Sequence, residues 1–328
     1  MKNRLIHLLV LIPALSLVSV SCGRPQEAGG NSQASPTPGR AQTQSQAQGQ
    51  AQPDMQKRQQ EAEQQARPEI ERQRQEAQQQ AEKNLDKEAV AAIEETQNAV
   101  KAIAANKSDE ALAAIERATG KINVLLARNP ATALIPVSAE VEVIDAAPLD
   151  VKAIKARAAD AERAVDDKNF PVARVLLYGL TSELRDRTYN LPLATYPDAL
   201  KDAARLLDQK KPDEANKVLL TALNTLVVID RVTPLPLIVA QAAVIAAQDL
   251  RDKDKDEAKK LLDTAKYEIE RSKELGYTGN DPEYAAIDKA ISALESQLKG
   301  GGDTASAFNA LKERVASFFK RLSEDKRG

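Results

Sequence analysis

The sequence predicts a mainly all-α fold: packed helical hairpins with a small two-stranded β ribbon, preceded by a signal peptide and a tether, part disordered and part polar helix. Three observations carry this. The 328 residues draw chiefly on Ala, Leu, Glu, Lys, Arg and Gln, the helix-forming alphabet, with 13 Gly and 16 Pro left mostly as punctuation. Apolar residues recur at helical spacing from Asp86 onward. Between these runs a short phrase ending in Asp-Glu-Ala, or a variant of it, keeps returning.

The chain divides in order into a leader over 1–21, a linker over 22–53, a polar Gln/Glu/Arg-rich helical spacer over 54–86 and a helical domain over 87–328. Lys2 and Arg4 supply a positive start, and Leu5 to Val20 an apolar run too short and wrongly flanked for an ordinary membrane span. Small residues then precede Cys22 and Gly23, as in a bacterial lipobox, although Ser19 stands where Leu is usual. Cys22 is the single cysteine, so it has no disulfide partner within the chain. Its expected role is lipidation, with the membrane as partner through that anchor. Gly23 in place of an Asp favours delivery to the outer membrane, with the body facing the periplasm.

From Gly23 to Pro53 the chain is Gly, Ser, Pro, Gln and Ala, which bury too little to offset chain entropy, and disorder is expected. Met55 to Lys87 is rich in helix formers and i,i+4 charge pairs, polar all round, with a break expected near Pro68 and no apolar stripe to pack on.

The body then reads as hairpins. Val90, Ile93, Val100 and Ile103 share one helical face. Ser108, expected as an N-cap, and Asp109-Glu110 open the next helix, whose face runs from Ala111 to Leu126. The same punctuation recurs at Ala173, Ala215, Ala258 and Ala305, at intervals of about 62, 42, 43 and 47 residues. An alanine near the start of each second helix lets it approach its partner closely. Two segments break the rhythm. Pro136 to Ile144 alternates apolar and polar, and Leu226 to Pro236 is a β-branched run ended by prolines. The two are expected to pair as the ribbon, with Pro234 and Pro236 starting the helix that follows.

Composition narrows the function. With 46 Lys+Arg against 48 Asp+Glu and 3% aromatics there is no basic face or stacking platform, so nucleic acid is not an expected partner. The single His, His7, lies in the leader. A mature body would then lack imidazole, and with it the common triads and Cys/His metal sites. No catalytic residue, metal or cofactor is expected.

Several phrases together resemble the YfdX family of exported bacterial proteins: IPVSAEVEV over 135–143, PLDV over 148–151, LPLATYP over 191–197, KPDEA over 211–215 and LVVIDRVTPLP over 226–236. The resemblance runs from about Lys87 to Leu322. It implies a mostly helical, exported protein associated with envelope stress and acid or drug tolerance, without an established enzymatic activity. The lipobox and the long Gln-rich tether depart from shorter family members. The expected function is therefore non-enzymatic, in stress tolerance, through an envelope protein or a small molecule. A helical-repeat adaptor scaffolding an envelope complex is the alternative, and a carboxylate- or Lys-dependent enzyme a more distant one. Self-association is left open.

The densest set of unusual side chains is Tyr178, Arg185, Arg187, Tyr189 and Tyr196. Arg offers a fork to anionic groups and Tyr an amphipathic surface, so these form the candidate ligand or partner patch. The plainer reading is a connector whose arginines bond helix-terminal carbonyls.

Overall fold

Each of the first three hairpins turns in the same way. Asn106, Lys168 and Lys210 adopt φ of 57°, 58° and 60°. Around each, two amides return to carbonyls of the helix just ended, as in Lys107 to Ala102, Asn169 to Ala164 and Lys211 to Leu206. A single left-handed residue thus closes the first helix while the second begins beside it. Ala111, Ala173 and Ala215 each lie five residues beyond the turn and are buried, so backbone meets backbone there.

The computed structural model describes residues 42–129, 133–277, 281–300 and 304–324. The chain divides into units 1–47 and 48–328; of the first, only the beginning of helix α1 is described. The elements are α1 (Gln42–Lys83), α2 (Lys87–Ala104), α3 (Ser108–Arg128), β1 (Leu134–Asp145), α4 (Val151–Asp166), α5 (Phe170–Tyr178), β2 (Ser182–Pro192), α6 (Tyr196–Asp208), α7 (Pro212–Asn224), β3 (Val227–Pro234), α8 (Leu235–Leu250), α9 (Lys255–Glu274), α10 (Pro282–Gly300) and α11 (Ala305–Glu324). The mainly α reading holds. So do the five hairpins, α2–α3, α4–α5, α6–α7, α8–α9 and α10–α11, and each of the first three ends in a strand.

The ribbon is corrected. β1 and β3 do not pair with each other; β2 lies between them, antiparallel to both, in the order β1-β2-β3. The stretch expected to be a connector is this central strand, and its charges hide the alternation. Ser108 is likewise the first helical residue, and Lys107 takes the cap position.

The body has two main cores. The α2–α3 and α6–α7 hairpins enclose one, with Ile115, Ile122, Leu200 and Leu219 at its centre and Ile135 and Leu191 from the sheet against it. Helices α8 to α11 enclose the other, around Leu262, Ile291, Phe308 and Phe318. Here Tyr284 meets Phe318 edge to face, 4.9 Å between centroids.

The tether departs from expectation. Residues 42–53 are the first turns of α1, and the helix runs without interruption through Pro68. Its buried or half-buried positions include Gln59, Glu63, Ala66, Ile70, Ala77 and Ala81, a stripe at helical spacing. Of these six, three are alanines, two are polar and only Ile70 is a large apolar residue, so the stripe barely registers in an apolar count. Ile70, Ala77 and Ala81 pack with Val141, Leu184, Leu235 and Ile238 beside the sheet. The leader, Cys22 and the linker up to 41 lie outside the described residues.

Candidate functional site

Alternation along β2 puts Arg185, Arg187 and Tyr189 on one face of the sheet. Register then brings carboxylates to them: Glu142 lies opposite Arg185, Glu140 opposite Arg187 on one side and Asp230 opposite Arg187 on the other. Arg187 grips Asp230 with both arms, Nε to Oδ1 and Nη2 to Oδ2, each 2.8 Å. This bidentate bond holds the Asp230 carboxyl below its usual range. Arg185 donates from Nε to Glu183 at 2.8 Å and reaches Glu142 at 3.4 Å. Both guanidinium forks are thus occupied by carboxylates of the same sheet. The face has the form of a cross-strand ionic ladder.

The candidate patch therefore divides. Arg185, Arg187 and Tyr189 come together. Tyr196 opens α6 and is only 1% exposed, its hydroxyl pushed up to about 12 by burial despite the nearby Thr96 hydroxyl. It belongs to the core and to the floor of a cleft of about 470 Å³ between α6 and α7. Tyr178 ends α5 and is exposed.

A second cluster gave no sign in the sequence. Arg271, on α9, is 1% exposed and carries charge into the protein. It bonds Glu268 at 3.2 Å, Glu63 of α1 at 2.9 Å and the carbonyls of Pro148 and Ala147 at 3.2 and 3.5 Å, with Asp145 at 3.8 Å. Burial works against the guanidinium charge, but the three carboxylates more than offset it and hold Arg271 above its ordinary value. Glu268 is fully buried and desolvation pushes it up to about 7, against the pull of Arg271; its Oε1 has no hydrogen-bond partner among the described residues. Glu63 is raised for the same leading reason. Two tyrosines complete the junction. Tyr267 donates to Leu149 O at 2.9 Å and accepts from Val151 N at 3.0 Å, and Tyr277 accepts from Ser182 N at 2.7 Å. Together they fasten α1, α9, the β1–α4 loop and the start of β2. Arg271 stands two residues beyond Ile269, on the side of α9 away from its apolar stripe, so nothing in the sequence marks it for burial.

A second cleft of about 510 Å³ lies between α9 and α10, with Lys266, Lys273, Glu270 and Asp288 at its rim. Among the described residues no group of three or more His, Cys, Asp or Glu is placed to hold a metal ion. No described helix is long and apolar enough to cross a membrane.

The surface most unlike its surroundings is apolar. Of thirteen exposed large hydrophobic residues among those described, six sit on the α4–α5 hairpin: Val165, Phe170, Val172, Val175, Leu177 and Tyr178. Helix α5 buries Ala173 alone. A helix apolar on nearly every side is ordinarily covered.

Comparison with known proteins gives likenesses of two kinds, to a family model and to solved structures. The family model for "YfdX protein" matches residues 92–232, from α2 to β3, a shorter span than the expected Lys87 to Leu322. A solved structure of Salmonella Typhi YfdX is 14% identical, over 46% of this chain and 93% of that one, with a TM-score of 0.31. No curated protein matches.

Proposed function

With residues 92–232 a YfdX segment, we propose that this is a lipid-anchored protein of the bacterial envelope that acts in stress tolerance by binding another protein, without catalysis of its own. The observation that carries the binding reading is the bare apolar hairpin α4–α5. Buried charges elsewhere are turned on one another, as at Arg271, and the sheet's arginines are taken up by Glu183, Glu142 and Asp230. Among the described residues the largest group of exposed apolar side chains is on this hairpin, and proteins meet proteins through such faces. The anchor reading rests on Cys22 and the small residues before it. Helix α1 lies against the body from Gln59 to Ala81.

The two halves are tested separately. Growth with a clickable fatty acid should label the wild type and leave Cys22→Ser unlabelled and released from membranes; an unlabelled wild type removes the anchor. A photo-reactive residue at Val175, in cells, should give a protein adduct. Absence of any adduct removes the binding reading.

A further inference from the structure

The three hairpin-and-strand units of 87–234 permit a comparison position by position, counted from each left-handed turn. Three residues before it stand Ile103, Val165 and Leu207; nine after it stand Ile115, Leu177 and Leu219. In the first and third units these are core residues, 6% and 7% exposed for Ile103 and Leu207, 1% and 0% for Ile115 and Leu219. In the middle unit the same positions are bare: Val165 is 45% exposed and Leu177 54%. The sequence keeps large apolar side chains at both.

The flanking units show what covers them. Helix α2 packs on α7, and α3 on α6. The first helix of each hairpin lies on the second helix of the other, in both directions, which is the contact pattern of a twofold axis. The middle hairpin turns away from this cluster. Val151 and Ile154, near the start of α4, are buried, and α4 rests on α9, with Lys155 reaching Glu274 at 3.2 Å. Among the described residues no hairpin covers Val165 or Leu177.

We infer that the α4–α5 hairpin is completed by the α4–α5 hairpin of a second copy, α4 of each on α5 of the other, in a twofold dimer that repeats the packing of the α2–α3 and α6–α7 hairpins. This rests on the protein-binding reading above and names the partner. The rim suits it: Arg163, Asp166, Asp167 and Arg174 are all exposed on this hairpin, so both signs are present and the surface can complement itself. An anionic bilayer would meet those carboxylates. Repeating that packing covers Val165 and Leu177; Phe170, Val172, Val175 and Tyr178 stand at positions that the sister hairpins leave exposed or half-buried.

The test uses the full chain in detergent, with its mass measured by light scattering, and a photo-reactive residue at Leu177 in cells. The expected results are a mass of two chains and an adduct containing this chain alone. Leu177→Glu should retain the wild-type circular dichroism and raise the dissociation constant about 30-fold or more. If that variant unfolds, the adduct at Leu177 decides. A monomer in detergent, or an adduct with a different protein, overturns the second copy; the latter leaves the binding reading intact. No adduct overturns both.

Discussion

Glu268→Gln is the perturbation whose outcome the structure determines most sharply. Glu268 is enclosed by Arg271 of its own helix, Glu63 of α1 and Asp145 at the end of β1, with Tyr267 adjacent in the chain. Desolvation dominates and lifts it from the ordinary 4.5 to about 7. The folded state therefore binds a proton that the unfolded chain releases between those values. Stability falls as pH rises through that window, because the deprotonated form must stay buried. The full gap corresponds to about 3 kcal/mol. Glutamine occupies the same space and is neutral at every pH. The variant should match wild type within about 1 kcal/mol near pH 4.5 and exceed it by about 2–3 kcal/mol near pH 8. Guanidinium unfolding followed by far-UV circular dichroism, at several pH values, reads both curves. A variant less stable than wild type near pH 8 would refute the reasoning, because it would mean that the charged Glu268–Arg271 bond more than offsets its own burial.

Three further outcomes follow from neighbouring features. Arg271→Met strands Glu63, Glu268 and two loop carbonyls, and should cost about 3–5 kcal/mol near neutral pH, with hydrogen exchange along α1 rising most around Glu63; unchanged exchange there would detach α1 from the cluster. Asp230→Asn loses the bidentate grip on Arg187, half-exposed on the sheet, and should cost about 1 kcal/mol. Because the Asp230 carboxyl is held low, the lost stability is present above its unfolded value and fades as pH falls through the folded one, so the two curves should converge in acid. Lys210→Gly relieves a side chain held at φ 60° and should raise stability by about 0.5–1 kcal/mol in the same unfolding assay.

The hairpins were legible because their signal is local. An apolar stripe, a polar break and a small residue occur together within each, and Ala111, Ala173, Ala215 and Ala258 are all buried where the punctuation put them. The outer strands were legible from β-branched alternation. The central strand was not, because one of its faces is spent on Arg185 and Arg187 and the other includes Asp186 and Asn190, whose partners lie on strands distant in sequence. The same reason hid Arg271. Its partners Glu63 and Asp145 are far away in the chain, and an arginine in a polar-looking helix carries no mark of burial. Tyr196 misled in the opposite direction: a tyrosine among arginines looks like a surface group, yet it fills the core position that Ala92 and Ile154 hold in the other two units. Helix α1 misled through its alanines, which bury as readily as leucines but barely register in a hydropathy pattern.

The most direct test of the central claim, that this protein works by binding through the α4–α5 face, compares two photo-reactive positions in living cells. Leu177 and Leu220 are both exposed leucines on second helices, 54% and 41% respectively, but only Leu177 occupies a position that is core in the sister hairpins. A strong protein adduct is expected from Leu177 and little from Leu220. Equal yields at the two positions, or none at Leu177, would contradict it.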